Sequence, residues 1–341
     1  MIHDKNAFDH IRLTAAALVL FSHHFALWGL SEPSTLGNSL GHLGVAIFFA
    51  LSGYLVTKSF RADPDVGRFL LRRVLRIMPG LTVNVIVCVV LFGVLLTTIP
   101  LDTYFVHPTT LAYFKNILFN PTFQLPGVLE AARHPFAVNG SLWTLPFEMA
   151  AYILLVTLGS IFRNHLRWLS SLLVVLGLWV GLGWHPELPI VVWGNDLRFA
   201  PLFLTYFFAG VVLSFFAPVL LTPSKVILLL ALYVFVEHPV FRNVTAILLV
   251  PCISIYLGRQ IISSQFVLKN DCSFGVYLYA FPVQQFVIEK FGVLGVWPTL
   301  AVAALLTYGL AFFSWKLIEK PMLKLKPTGR LMSLSVKQYV P

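Results

Sequence analysis

Runs of about 20 apolar residues, broken by short polar or proline- and glycine-bearing stretches, recur along the whole chain. They lack the period-two alternation of half-buried strands. At 1.5 Å per residue, most are long enough to cross a hydrocarbon layer of about 30 Å as helices. The pattern predicts ten helices, near 11–30, 42–60, 79–99, 145–162, 168–184, 199–221, 224–237, 243–260, 274–290 and 295–318. The expected fold class is all-α, a polytopic transmembrane helical bundle of about ten spans with both termini cytoplasmic. The 224–237 run is short and is expected to be tilted or partly buried in protein. The longest interruption, about 100–140, is rich in Pro, Phe and Thr and is long enough to cover a site on one face.

Composition removes the soluble alternative. Of 341 residues, 58% are hydrophobic and 11% charged, where a soluble domain carries roughly 25% charged residues. Mean hydropathy is +0.83. Lipid tolerates this balance and demands helices or a closed barrel. The opening segment carries Asp4, Lys5, Asp9, His10 and Arg12 before a span too long for a cleaved leader, so the first helix is expected to be retained. Cys88, Cys252 and Cys272 have neither metal-ligand spacing nor an evident disulfide pairing, and read as structural. The domain reading is 1–326 as one membrane domain and 327–341 as a short basic tail.

Charge adds orientation. With the N-terminus inside, 19 of the 24 Lys and Arg fall on the cytoplasmic side; Lys115, Arg133, Arg198, Arg242 and Lys290 fall outside. This split follows the positive-inside rule. The formal charge of +10 is then orientation signal and attraction to anionic membrane lipids. Nucleic acid is not an expected partner, because the basic residues are spread over loops.

Ionisable groups within a membrane are functional candidates by default. In FDHIRLTAAALVLFSHHF, Arg12 and His23 stand eleven positions apart, so they share a helical face about 16 Å apart along the axis. His24 points about 100° away. Either histidine can instead hydrogen-bond a neighbouring helix. GHLGVAIFFALSGYLV brings Gly41, Gly44, Ser52 and Gly53 as small residues for close helix approach, with His42 at its edge. RFLLRRVLRIMPG places Arg76 at i+3 from Arg73 and i+4 from Arg72, with Pro79 marking the start of the third span. Such a cluster is either topogenic charge or a bidentate phosphate site. Glu148, in NGSLWTLPFEMAAY, is the acid of the fourth span, flanked by Trp143 and Tyr152 as interfacial-belt candidates. It wants a histidine or arginine partner, in a structural salt bridge or otherwise. Glu319 and Pro321, in WKLIEKPMLKL, mark a helix end, with Glu319 expected to pair with Lys316 or Lys320.

Taken together these segments resemble acyltransferase family 3, the membrane O-antigen and exopolysaccharide acetylase type. DHIR with His23, GHLGVAIFFALSGYL, RRVLRIMP, SLWTLPFE, GVYLYAFP and IEKP occur in the family's order from about Asp9 to Pro321. The resemblance implies an O-acetyltransferase of ten helices in the bacterial inner membrane. It would take an acyl group, commonly acetyl, from cytoplasmic acyl-CoA (acetyl-CoA) as donor, without a metal. The acceptor would be a hydroxyl of an envelope or secreted glycan or glycolipid, with polysaccharide-assembly partners a possibility. By the same resemblance, catalysis falls to Arg12, His23 and Glu148, and donor binding to Arg73 and Arg76. Arg72 joins them from its place in the cluster.

Two departures stand out. Ala280, in YLYAFP, occupies a position that is histidine in many relatives. No SGNH hydrolase-like domain follows the last span, so transfer is expected to finish within the membrane or on a partner. In the scheme these readings share, the arginines hold CoA phosphates and His23 acts as general base on the acceptor hydroxyl, with Glu148 orienting the imidazole. An acyl-histidine intermediate is the variant. The competing class is a proton-coupled transporter of a glycan precursor or small solute, weakened by the lack of an evident internal repeat. A non-catalytic scaffold is a third class.

Overall fold

The computed structural model describes residues 6–135, 137–183, 188–261, 263 and 266–327; beyond Pro327 the predicted tail lies outside the described residues. Ten helical segments dominate: α1 Phe8–Leu27, α2 Leu40–Ala62, α3 Val66–Leu96, α4 Gly140–Ile161, α5 Leu166–Gly183, α6 Leu197–Leu220, α7 Pro223–Phe235, α8 Pro239–Gly258, α9 Ser273–Phe291 and α10 Val296–Leu323. Six of them, α2, α3, α4, α6, α8 and α10, are long and apolar enough to cross a membrane. Two small hairpins, Ser34–Thr35 with Asn38–Ser39 and Val191–Val192 with Asn195–Asp196, are the only paired strands among the described residues. The bundle exposes Trp179, Leu228, Phe235 and Leu305, which fits an integral membrane protein whose outer surface meets acyl chains.

Small residues set the central crossings. Gly53 of α2 packs on the Phe207 carbonyl of α6, and Gly210 of α6 packs on the Ala50 carbonyl of α2. A β-carbon at either position has no room, so the two helices touch backbone to backbone. Gly44 lies against Ala15 and brings α1 onto α2. Gly41 instead lies beside Ser22 and Glu32.

Prolines within helices explain two polar contacts. Pro282 in α9 has no N–H to give the carbonyl of Leu278. That carbonyl accepts from Asn84 Nδ2 of α3 and Asn139 Nδ2, each at 2.9 Å. Pro218 in α6 likewise leaves the Ser214 carbonyl for Arg61 of α2, at 3.4 Å.

The structure shifts several element boundaries. Pro79 lies inside α3, which begins at Val66, so the arginine-rich stretch belongs to a continuous helix instead of preceding it. Pro321 does not end its helix at once: a π-helical turn over Trp315–Glu319 absorbs it and the chain stays helical to Leu323. α7 carries no fully buried residue, but Val226 packs on the cluster around Phe8 and Leu221, so the short helix is partly sheltered by protein. The 100–140 interruption folds back as short helices, Leu101–Val106 and Pro108–Tyr113, then a 3₁₀ turn at Phe114–Leu118. Tyr104 and Tyr113 are fully buried there, and the Tyr104 hydroxyl donates to the Val89 carbonyl at 2.9 Å.

Candidate active site

One large cavity, about 610 Å³, opens on the face that carries the start of α1, the α2–α3 turn, the segment before α9 and the end of α10. This is the basic face. Seven cationic side chains line the cavity: Arg12, Arg73, Arg76, Lys269, Lys320, Lys324 and Lys326. The carboxylates among them are Asp9, Glu148 and Asp271. Four of the residues read from sequence as site candidates, Arg12, Arg73, Arg76 and Glu148, therefore meet in one place.

Their charges are arranged in a chain. Arg12 pairs with Asp9 at 2.9 Å and reaches Asp271 at 3.7 Å. Arg76 pairs with Asp271 at 2.7 Å and with Glu319 at 3.7 Å, its guanidinium 5.8 Å from both the Phe274 and Trp315 rings. Burial alone would raise the Asp271 carboxyl's pKa, but Arg76 and Arg12 outweigh it and hold the group down at about 2. Asp271 thus stays ionised and fixes two arginines at once. The Glu319 side chain is buried and takes Ser314 and Arg76 as partners, not Lys316 or Lys320. Arg73 differs from both neighbours: among the described residues no carboxylate pairs with it, its Nε is buried without a partner, and it lies 5.8 Å from the Tyr152 ring centre.

Glu148 sits deeper in the cavity. It accepts from Ser52 of α2 at 3.1 Å and from the Tyr152 hydroxyl, whose oxygen lies 3.2 Å from Ser52 Oγ. Tyr152 is accordingly a buried site residue and not part of an interfacial belt, while Trp143 packs on Phe199 and Phe203. Arg72 does not line the cavity. It turns onto Asp63 at 2.7 Å, beside Arg68 at 2.6 Å, and so clasps the α2–α3 turn instead of offering a donor ligand. On a 3.6-residue helix, neighbours 72 and 73 point about 100° apart, so one arginine of the cluster was bound to leave the shared face.

His23 lies outside this lining, toward the opposite face. Its ring meets Phe281 edge-on at 5.5 Å, and its Nδ1 is buried without a partner. Glu32, His42 and His134 are ionisable groups around it, whereas Glu148 is engaged with Ser52 and Tyr152. Ser22 donates to Glu32, and the segment after Leu129 covers this end of α1. There Arg133 stacks over Trp28 at 4.0 Å, and Gln285 donates to the Ala137 carbonyl at 2.8 Å. His24 is the histidine that bridges helices: Nε2 lies 3.0 Å from the Val296 carbonyl and 3.2 Å from Thr299 Oγ1. Phe48 and Tyr277, edge to face at 5.8 Å, line the cavity, with Tyr277 bonded to Thr144 and to the Ser141 carbonyl. Ala280 is fully buried against Ala16, Leu20 and Ala311, an apolar seat.

Reading the sequence missed Asp271, Ser52 and Glu32. Asp271 alone left a signal, as an acid just before an apolar helix, where it accepts from the Ser273 backbone N–H at 3.4 Å. Ser52, read only as a small packing residue, meets Glu148 from 96 positions away, and Glu32 meets Ser22 ten positions back across the turn after α1.

Comparison with known proteins bears on the family and the class of reaction. The chain is 33% identical over 335 residues to an O-acetyl transferase of Shigella phage Sf6, covering 94% of this chain and 97% of that protein. It is 29% identical over 362 residues to Nodulation protein 10 of Rhizobium leguminosarum bv. viciae, covering 97% of each. Over 189 residues, 51% of this chain and 27% of the relative, it is 25% identical to the peptidoglycan O-acetyltransferase OatA of Listeria monocytogenes. No solved structure matches it. The family model described as an acyltransferase domain matches residues 5–316, so the chain belongs to the acyltransferase-3 family and is an O-acetyltransferase of the membrane-embedded type.

Proposed function

We propose that this enzyme takes acetyl from acetyl-CoA at the cytoplasmic face of a bacterial inner membrane and esterifies a hydroxyl of an envelope or secreted glycan. The observation that carries the reading is the cavity of about 610 Å³ on the basic face, with Arg12, Arg73 and Arg76 turned into it. The positive-inside rule puts that face in the cytoplasm, where acyl-CoA is made. Arg73, the arginine with no carboxylate partner among the described residues, is the one most available to a phosphate. The thioester end enters first and passes the Phe48–Tyr277 pair to reach His23. There the imidazole takes the acceptor hydroxyl's proton as its oxygen adds to the thioester carbon. The C–S bond breaks, the proton goes to the departing thiolate, and an oxygen ester and free CoA result. Glu148, bonded to Ser52 and Tyr152, shapes the donor cavity instead of orienting His23.

Sealed vesicles test this directly. Inside-out vesicles given acetyl-labelled acetyl-CoA should move label into glycan, and right-side-out vesicles should not. Cells lacking the protein, or carrying His23→Ala at normal abundance, should lose O-acetyl from the same glycan. Equal labelling in both vesicle orientations would overturn the assigned donor face, and retained acetylation in His23→Ala would remove the histidine from the chemistry.

A further inference from the structure

The cavity mouth holds charges that transfer does not use. Lys320 and Lys324, four positions apart at the end of α10, line it together with Lys326 and with Lys269 from the segment before α9. Among the described residues no carboxylate forms an ion pair with any of the four, whereas Arg12 and Arg76 deeper inside are matched by Asp9, Asp271 and Glu319. Lys326 is half-buried. Burial, then the repulsion of Arg73, Arg76 and Arg12, pushes its ammonium down to about 7 against the pull of Asp271. A cation placed among cations, with no ion-pair partner among the described residues, marks a position where an external anion completes the charge balance.

We propose that Lys326, with Lys320 and Lys324, forms a phosphate-monoester subsite at the cavity mouth, and that its ligand is the 3′-phosphate on the nucleotide end of the donor. The assignment rests on the acyl-CoA reading above. The order of the two tiers fits such a ligand. The thioester arm enters first, so the nucleotide stays at the mouth. A monoester carries about −1.5 to −2 charge at neutral pH, more than one ammonium balances, and lysines act as adjustable point charges where arginines act as forks. An anionic lipid headgroup presents the same chemistry.

Full-length protein in phosphatidylcholine nanodiscs separates these sources by calorimetric binding of CoA and 3′-dephospho-CoA. The wild type should bind CoA about tenfold or more tightly than dephospho-CoA, the scale of charge-assisted hydrogen bonds. Lys326→Gln should bring the two affinities together, and Lys326→Arg should restore the gap. Above pH 7, CoA binding should also draw in a proton that dephospho-CoA binding does not, as Lys326 regains its charge. An undiminished gap in Lys326→Gln overturns the proposal, as does the lack of any gap in wild type. Loss of the gap only when phosphatidic acid is added, with no Lys326 dependence in phosphatidylcholine, overturns the nucleotide assignment in favour of lipid. If neither nucleotide binds and no acetyl moves from acetyl-CoA, the donor reading itself fails, a result distinct from every other.

Discussion

The two ends of α1 show opposite ways of keeping a charge in a membrane. Arg12 stands among other cations and three carboxylates, Asp9, Asp271 and Glu319, which hold it and Arg76 in fixed pairs. His23, about 16 Å further along the same helix, has an apolar ring edge against it and an Nδ1 with no partner. A site that binds a permanently charged group can be prepared with permanent charges. A group that must gain and lose a proton cannot be locked into a full set of hydrogen bonds, because that set would favour one state over the other. On the proposed function, the donor end is built for binding and the histidine end for chemistry. Substitutions at the two ends should therefore fail differently.

The largest effect is expected at His23. His23→Gln should lower transfer by about 10²- to 10⁴-fold, the usual range for a general base, while CoA affinity measured by calorimetry stays as in wild type. If affinity collapses too, the two ends are one site and the comparison breaks. Next come the arginines. Arg73→Gln should weaken CoA binding by roughly 10- to 100-fold with little loss of thermal stability, since Arg73 balances no carboxylate among the described residues. Arg76→Gln should lose binding and stability together, because it strands Asp271 and the buried Glu319, and removing one partner of a buried pair costs about 3 kcal/mol or more. Equal melting losses in both variants would show that Arg73 is structural.

The sequence carried much of the plan and little of the pairing. Helix positions were legible because each apolar run is a local property, and the Arg12–His23 spacing is local too. Which partner an ionisable residue takes is decided across helices. Glu319 has Lys316 and Lys320 beside it in sequence, yet its buried face meets Arg76 and Ser314. Glu148 finds Ser52, 96 positions earlier, instead of His23. Asp271 lies in the polar NDCS stretch that reads as a loop, so its role as the clamp on Arg12 and Arg76 left only a capping signal. Arg72 and Arg73 are adjacent in the sequence and face different worlds.

A smaller effect should distinguish the carboxylates of the two regions. Glu32→Gln removes a charge that acts on His23 and should lower kcat by about tenfold or less, with the KM for acetyl-CoA unchanged. Glu148→Gln disturbs the Ser52–Tyr152 cluster that borders the donor cavity and should raise that KM. Steady-state kinetics on both variants decides the matter; the reverse assignment of effects would return Glu148 to the imidazole.

The smallest effect belongs to Arg72, which tests whether the α2–α3 clasp is separable from the cavity. Hydrogen bonds from Arg68 and then Arg72 hold the Asp63 carboxyl well below the usual carboxylate range. A lowered folded-state pKa contributes stability that is present above the unfolded value, about 3.9, and is lost as pH falls through the folded one. Arg72→Gln should therefore lower the melting temperature of detergent-solubilised protein slightly and by a constant amount from pH 7 down to about 4. Below that the difference should shrink as Asp63 becomes protonated in the wild type as well. CoA affinity should stay unchanged throughout, in contrast to Arg73→Gln one residue away. A loss of CoA binding in Arg72→Gln without a melting shift would mean that the guanidinium leaves Asp63 for the donor, and would place all three arginines in one phosphate site.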